Sequence, residues 1–465
     1  MVWFRQYYLG CLSHASYLVG DPSTGRAVVI DPQRDIDQYV RDAEAHDLRI
    51  ERVIETHFHA DFLSGHLELA EATGAAISFG EAAAGRTEYP IEVLAHGTRL
   101  ALGEVELEIR ATPGHTPESI SIVVWEHPDD TTPYGVLTGD TLFIGDVGRP
   151  DLLVSVGHTA DDLGRMLYHS LHEQLLTLPD ATRVYPAHGA GSACGKHLST
   201  ETESTIGAER ATNYALQPMT EDEFVDVVTE GQAAAPPYFL FAATQNRQQR
   251  ALLAEQGIAA MTLDEVLAAQ RAGAVVLDTR DQTMFGAGHL RGAVSVGLEG
   301  RFAEYTGEVV TPSTPIVLVG EPGTEAEART RLARIGFDNV LGALDDYVAA
   351  FIDHPELVEQ ASRLSAEELA ERRATVPGLQ VVDVRNIGEL AESGTVPGAV
   401  NIPLPQLVAR LGELDRAAPI VVYCAGGYRS SIAASTLRAN GFTDVSDLLG
   451  GIGAWAGSGG ELARA

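Results

Sequence analysis

Between residues 276 and 442 the sequence repeats itself at an interval of about 105 residues, and this repeat limits the fold more than any other feature. Val276-Leu277-Asp278-Thr279-Arg280 matches Val381-Val382-Asp383-Val384-Arg385. Gly288-His289-Leu290-Arg291-Gly292-Ala293-Val294 matches Gly394-Thr395-Val396-Pro397-Gly398-Ala399-Val400, and Pro315–Gly320 matches Pro419–Cys424. Ile335-Gly336-Phe337 has its echo in Asn440-Gly441-Phe442. A period this long is a duplicated domain, not a solenoid. Apolar strand-like runs alternating with helical stretches make each copy a small α/β domain with a parallel sheet.

The copies part company at one loop. In the second, Cys424-Ala425-Gly426-Gly427-Tyr428-Arg429-Ser430 follows the apolar strand Ile420–Tyr423 and precedes a helix reading Ser430 to Asn440. A strand–loop–helix turn aims backbone N–H groups and a helix N-terminus at the sulfur, an arrangement that favours thiolate and anions, and Arg429 adds a positive charge. In the first copy Gly320 stands at the cysteine position and Glu325 at the arginine position. Neither supports this chemistry, so that copy reads as an inactive spacer.

Upstream, Thr56-His57-Phe58-His59-Ala60-Asp61-Phe62 packs three ligand-capable side chains into five residues. Phe62 follows the aspartate where a second metal would want an imidazole, which argues for one metal. Thr112-Pro113-Gly114-His115-Thr116, Thr138-Gly139-Asp140-Thr141-Leu142 and Pro186-Ala187-His188-Gly189 place further donors in turns. Such turns let a rigid sheet aim ligands at one point. Ala27–Asp31 and Arg52–Glu55 read as strands, and Ile36–His46 and Leu67–Thr73 as helices, while residues 211–255 look like an extension and linker.

The first 210 or so residues resemble the metallo-β-lactamase superfamily. Within it they are more similar to the persulfide dioxygenases than to the glyoxalase II thioesterases, whose H-x-H-x-D-H motif holds two metals and from which Phe62 departs. The run Gly139 to Asp151 carries the same likeness. The resemblance implies one Fe(II) held by His57, His115 and Asp140, with His59, Asp61 and His188 orienting ligands or substrate. Two imidazoles and a carboxylate on one face leave positions open for O₂ and substrate. The rival reading is a zinc hydrolase with His57, His59 and His115 as ligands. Arg149 is a candidate for holding the carboxylates of a thiol carrier, its alternative being an ion pair with Asp146 or Asp151. Cys194, six residues after His188 and beside Lys196, the only lysine, reads as an accessible, acidified thiol at the mouth of the site, a candidate for sulfur relay. Cys11 has no such context, and three cysteines at these spacings form no disulfide framework.

The six residues from Cys424 to Arg429 resemble the rhodanese active loop, sized for a persulfide rather than for the phosphate of the longer cysteine-phosphatase ring. The expected architecture is therefore a metallo-β-lactamase αββα sandwich followed by two rhodanese-like α/β domains with parallel sheets. Boundaries are expected at 1–255, 256–358 (inactive) and 359–465 (active). The combination resembles fused persulfide dioxygenase–sulfurtransferases of bacterial sulfide detoxification. That likeness implies oxidation of glutathione, coenzyme A or similar low-molecular-weight persulfides by O₂ to sulfite. Transfer of sulfane sulfur to sulfite through Cys424 would then give thiosulfate. A zinc thioester hydrolase with a sulfurtransferase tail and a non-enzymatic sulfur carrier or sensor are the alternatives.

With 465 residues, a formal charge of −33 and a pI near 4.7, the chain lacks the basic footprint that nucleic acid or an anionic membrane requires. No apolar run has the roughly 20 residues of a membrane span, and the N-terminus lacks a secretory pattern. A cytoplasmic protein assembling with copies of itself is expected.

Overall fold

The computed structural model describes residues 1–152, 157–253 and 257–464. The chain divides into two compact units, Met1–Gln232 with Phe239–Ala254, and Ala233–Tyr238 with Glu255–Ala465.

The first unit contains two six-stranded sheets. One runs in sequence order through β1 (Trp3–Leu9), β2 (His14–Asp21), β3 (Arg26–Ile30), β4 (Arg49–Ile54), β5 (Ala76–Gly80) and β6 (Glu92–Leu94). The other is built from β7 (Arg99–Ala101), β8 (Glu106–Ala111), β9 (Ile120–Trp125), β10 (Gly135–Gly139), β11 (Arg183–Pro186) and β12 (Ser204–Thr205). Alternation along the strands explains the layering. Tyr17, Val19, Val28, Ile30 and Ile54 point inward and join Leu107, Ile109, Ile122 and Leu137 of the second sheet in one core. Leu18, Ala27, Val29 and Val53, one residue out of phase, face Tyr39 and Ala43 of the helix Asp37–Ala45 and Leu69 of the helix His66–Thr73. On the far side Val123, Val136 and Val184 pack under Leu167, Leu171, Phe224 and Val228. Helices thus cover both outer faces, which is the αββα sandwich.

One sequence reading needs correction and another needs narrowing. Strand β3 stops at Ile30, and Asp31 turns out of it with φ 50°. The segment 211–255 is mostly the extension half of its reading, with little of it linker. The helix Glu221–Thr229 buries Phe224, Val225 and Val228 in the first unit, and the helix Phe239–Gln245 belongs to that unit too, whereas Ala233–Tyr238 groups with the second.

The second unit carries the duplication as two five-stranded parallel sheets in matching order. The first copy runs Ala260–Met261, Val340–Leu344, Ile316–Val319, Val275–Asp278, Val294–Ser295. The second runs Ser362–Leu364, Val445–Leu448, Ile420–Tyr423, Gln380–Asp383, Val400–Asn401. Among the described residues no helix is long and apolar enough to cross a membrane.

Candidate metal centre and reactive-cysteine loop

Each turn singled out above leaves the end of a strand of the sandwich. His57 follows β4, His115 follows β8, Asp140 follows β10 and His188 follows β11. Close packing fixes these turns. At Gly114, with φ 148°, a Cβ would lie 2.5 Å from Leu167, and at Gly148 a Cβ would lie 1.9 Å from the carbonyl oxygen of Asp140.

His57, His115 and Asp140 each bring one donor atom to a common point, the three atoms lying within 4.8 Å of one another, and all three residues are buried. Asp140 Oδ2 is 3.4 Å from His115 Nε2 and 3.8 Å from His57 Nε2. The free nitrogens are selected by what the other ring atoms do. Thr56 Oγ1 donates to Asp31 Oδ2 at 2.8 Å, so at 3.0 Å it accepts from His57 Nδ1–H. His115 Nδ1–H donates to the Arg149 carbonyl at 2.9 Å. Both Nε2 lone pairs therefore face the centre. Burial, then the His59 and His115 imidazoles, hold His57 well below the usual imidazole value, and burial likewise lowers His115. Burial raises the Asp140 carboxyl, but His188 and His115 override it and keep it ionised.

His57 Nε2 and Asp140 Oδ2 are buried without a hydrogen-bond partner, a state that calls for something else to satisfy them. Two neutral imidazoles and one carboxylate fit a divalent cation.

The surrounding residues point elsewhere. His59 Nε2 turns to Asp31 Oδ1 at 3.1 Å and Glu55 Oε2 at 3.5 Å, forming a separate Asp31–Glu55–His59 group. His188 bridges Asp140 Oδ1 and Asp61 Oδ2, both at 2.7 Å. Burial would lower this imidazole, yet the two carboxylates raise it well above its usual value, so it is a cation clamped between them. The Phe62 ring packs 4.0 Å from His14 and 4.4 Å from His59.

At the next layer one expectation fails, and of the two readings of Arg149 the ion pair with Asp151 is the one found. Cys194 is neither accessible nor acidified. It is 1% exposed, lies within 4.8 Å of donor atoms of Asp61 and His188, and burial first, then the Asp61 and Asp140 charges, push its thiol well above the ordinary range. Arg149 is 3% exposed and has no free fork for a carrier. Its guanidinium holds Asp151 at 2.6 and 2.7 Å and donates to the Ala193 carbonyl, while its backbone N–H binds the Cys194 carbonyl.

Asn246 is the residue that sequence reasoning missed. It is 1% exposed, donates to the carbonyls of His59 at 2.8 Å and Phe62 at 2.9 Å, and accepts from Ser64 N–H at 2.9 Å, clasping the metal loop. Nothing local in Gln245-Asn246-Arg247 announces this role. Asp31 was equally open to detection only through its acidic side chain at a strand end, where it now anchors Thr56 and His59.

In the second unit Cys424 follows the strand Ile420–Tyr423, 2% exposed, with Gly427 N–H donating to its Sγ at 3.1 Å and Ser430 Oγ 3.7 Å away. The helix begins at Tyr428, two residues earlier than the sequence suggested. Arg429 is not a free charge. Both its Nη atoms donate to Glu389, each at 2.7 Å. Tyr428 OH donates to the Gly297 carbonyl of the first copy at 2.7 Å. In that copy the Gly320 position has no room for a side chain, since a Cβ there would lie 2.5 Å from Thr279 Oγ1.

Comparison with known proteins agrees with both halves. The Metallo-beta-lactamase superfamily matches residues 9–188, and the Rhodanese-like domain matches residues 262–350 and 365–458. The mitochondrial persulfide dioxygenase of Bos taurus is 32% identical over 235 residues, which is 50% of this chain and 82% of that protein. Its Homo sapiens counterpart is 31% identical over 249 residues, covering 53% of this chain and 87% of that protein. A crystal structure described as a metallo-beta-lactamase from Staphylococcus aureus is 32% identical, has a TM-score of 0.67, and covers 74% of this chain and 98% of that one.

Proposed function

This chain belongs to the persulfide dioxygenase family of the metallo-β-lactamase superfamily, carries two rhodanese-like domains and is an enzyme, and from that premise we propose how its two centres divide the work. The first unit is a single-iron dioxygenase for low-molecular-weight thiol persulfides, and Cys424 is a sulfurtransferase nucleophile that turns the resulting sulfite into thiosulfate, within sulfide detoxification. The observation that carries this reading is the donor set. His57, His115 and Asp140 converge while His59 is turned onto Asp31, which favours two imidazoles and a carboxylate over the three imidazoles of a zinc hydrolase.

His57, His115 and Asp140 would hold Fe(II), which would supply the redox chemistry with O₂. The protein's share is positional. Thr56 and the Arg149 carbonyl hold the His57 and His115 rings, and the His188 cation occupies Asp140 Oδ1, leaving Oδ2 for the metal. Net, a persulfide RSSH, O₂ and water give the thiol RSH, sulfite and two protons. At the second centre the Cys424 thiolate attacks the outer sulfur of another persulfide and the carrier thiol leaves. Sulfite then attacks the outer sulfur on Cys424, the S–S bond breaks, thiosulfate departs and the thiolate is restored.

Iron-loaded full-length protein given glutathione persulfide in an oxygen electrode should consume O₂ and accumulate thiosulfate. Cys424→Ser should still consume O₂ but release sulfite. Oxygen-independent thioester hydrolysis by zinc-loaded protein, with no O₂ uptake by the iron form, would replace this reading by the hydrolase.

A further inference from the structure

The reactive loop offers its sulfur one observed backbone donor. Gly427 N–H points at Cys424 Sγ at 3.1 Å, whereas the Arg429 guanidinium is paired with Glu389. The aim of that N–H depends on how firmly the loop is held. Ala425 and Gly426 are exposed, a side chain at Gly426 would meet nothing within 4 Å, and Gly427 sits at φ 103°. Two successive glycines give this stretch wide conformational freedom. The second copy itself holds the two ends of the stretch. Ile452 N–H binds the Cys424 carbonyl at 2.8 Å, and Ser430 Oγ binds the Gly427 carbonyl at 3.1 Å.

The side chain of Tyr428, next along the chain, reaches outside its own copy. Its hydroxyl donates to the Gly297 carbonyl at 2.7 Å, with the Glu299 carbonyl 3.3 Å away. Its ring meets that of Tyr305 with centroids 5.4 Å apart. All three partners belong to the first copy, Tyr305 on the helix Phe302–Val309. Further along the helix that Tyr428 begins, Ser435 Oγ accepts at 2.9 Å from the backbone N–H of Ser295, on the edge strand Val294–Ser295 of the first sheet. The helix that leaves the reactive loop is therefore docked on the other copy at two points.

The first copy has no such tether. With Gly320 at the place of Cys424, Thr324 stands at the place of Tyr428, and its hydroxyl donates at 2.7 Å to the Glu321 carbonyl of its own loop. The outward-reaching side chain is found only in the loop that carries the cysteine.

We propose that Tyr428 is a positioning residue for Cys424 and that the first copy is its mount. The Gly297 carbonyl and the Tyr305 ring fix the tyrosine, and the fixed tyrosine keeps Gly427 N–H aimed at the sulfur. The domain without a nucleophile thereby sets the reactivity of the domain that has one. This role rests on the sulfur-transfer reading only in taking Cys424 as the nucleophile.

Alkylation of Cys424 in the full chain, followed by mass spectrometry of the peptide that carries it, tests the proposal without any sulfur substrate. Iodoacetate, an anion, and iodoacetamide, its neutral counterpart, are the reagents. Tyr428→Leu should slow iodoacetate about tenfold and iodoacetamide less, because a displaced N–H deserts both the sulfur anion and the approaching carboxylate. Tyr305→Leu, a change in the other copy, should slow iodoacetate several-fold with the same bias. The double variant should be no slower than Tyr428→Leu alone, since both changes act through one contact. A loop merely loosened, or a chain partly unfolded, would instead expose the buried sulfur and speed both reagents. Faster alkylation by both, unchanged rates in Tyr305→Leu, or additive losses in the double variant would overturn the proposal. These losses in a protein that makes no thiosulfate would remove the sulfur-transfer reading and leave the positioning role standing.

Discussion

The two halves of the duplication keep the same scaffold and differ at one loop. In each, an aspartate ending the first central strand is locked to the arginine two residues on. Arg280 Nε and Nη2 meet Asp278 at 2.9 and 2.6 Å, Arg385 meets Asp383 at the same two distances, and both guanidinium groups also cap a glycine carbonyl, Gly288 and Gly394. The strand orders match as well. At the loop the likeness ends. The second copy has Cys424 cradled by Gly427 N–H, with Val384 at the place corresponding to Thr279. In the first copy Thr279 fills the space a side chain at position 320 would need, and Glu325 caps Gly323 N–H where the second copy has Arg429 reaching for Glu389. The copy without the sulfur therefore also lacks the space for one. The residues that hold the scaffold are shared by the two copies, and the residues of the loop are not.

The contrast can be broken or sharpened by experiment. The largest effect expected is on Cys424→Ser, which should lower thiosulfate formation on the order of 10³-fold or more, measured with a persulfide donor and sulfite. A residual rate near wild type would mean the other copy is not silent. Next come the two locks. Asp278→Asn and Asp383→Asn each strand a buried guanidinium and should cost about 3–5 kcal/mol in denaturant unfolding, with similar losses in both copies. A large loss in only one would show that the scaffold is not shared energetically. Third, Gly320→Cys with Glu325→Arg in a Cys424→Ser background should restore no transfer and should destabilise by about 1–3 kcal/mol, because the new Cβ overlaps Thr279. Adding Thr279→Val should recover most of that stability, and regained turnover without it would show that a side chain at position 320 does fit.

The smallest effect concerns pH. Glu308, in the first copy, is pushed up to about 8 by burial and by Glu304. Its folded proton affinity exceeds the unfolded one, so the stability it contributes is complete below the ordinary carboxylate range and is lost as pH rises through about 8. Hydrogen-exchange protection around the helix Phe302–Val309 should fall over that window, and Glu308→Gln should flatten the dependence.

What could be read directly from the sequence was whatever is written locally. The H-x-H-x-D loop, the P-G-H and G-D-T turns, the Cys424 loop and the duplicated blocks are each short, and each is held in place by a strand next to it. The sandwich followed from strand patterning together with a resemblance. The residues read wrongly were those whose surroundings come from distant chain. Lys196 beside Cys194 suggested an acidified thiol, but its ammonium donates to the carbonyls of Val227 and Glu230, while Asp61 and Asp140 supply the field that reaches the sulfur. Arg149 is the mixed case: its pair with Asp151 was one of the two readings, and only its bond to the Ala193 carbonyl comes from distant chain. Asp31 and Glu55, which draw His59 aside, carry no motif at all.

The Asn246 clasp has a consequence for how the protein is made. The turn at His57–Ser64 leaves the ribosome early, but the side chain that satisfies its His59 and Phe62 carbonyls is synthesised 187 and 184 residues later. Until that stretch emerges, the ligand-bearing turn has no fixed outline, and a nascent chain should hold metal poorly even with every donor already translated. A metal-ready site therefore arrives only when Asn246 emerges, about halfway along the 465 residues, after every strand of the sandwich has been translated.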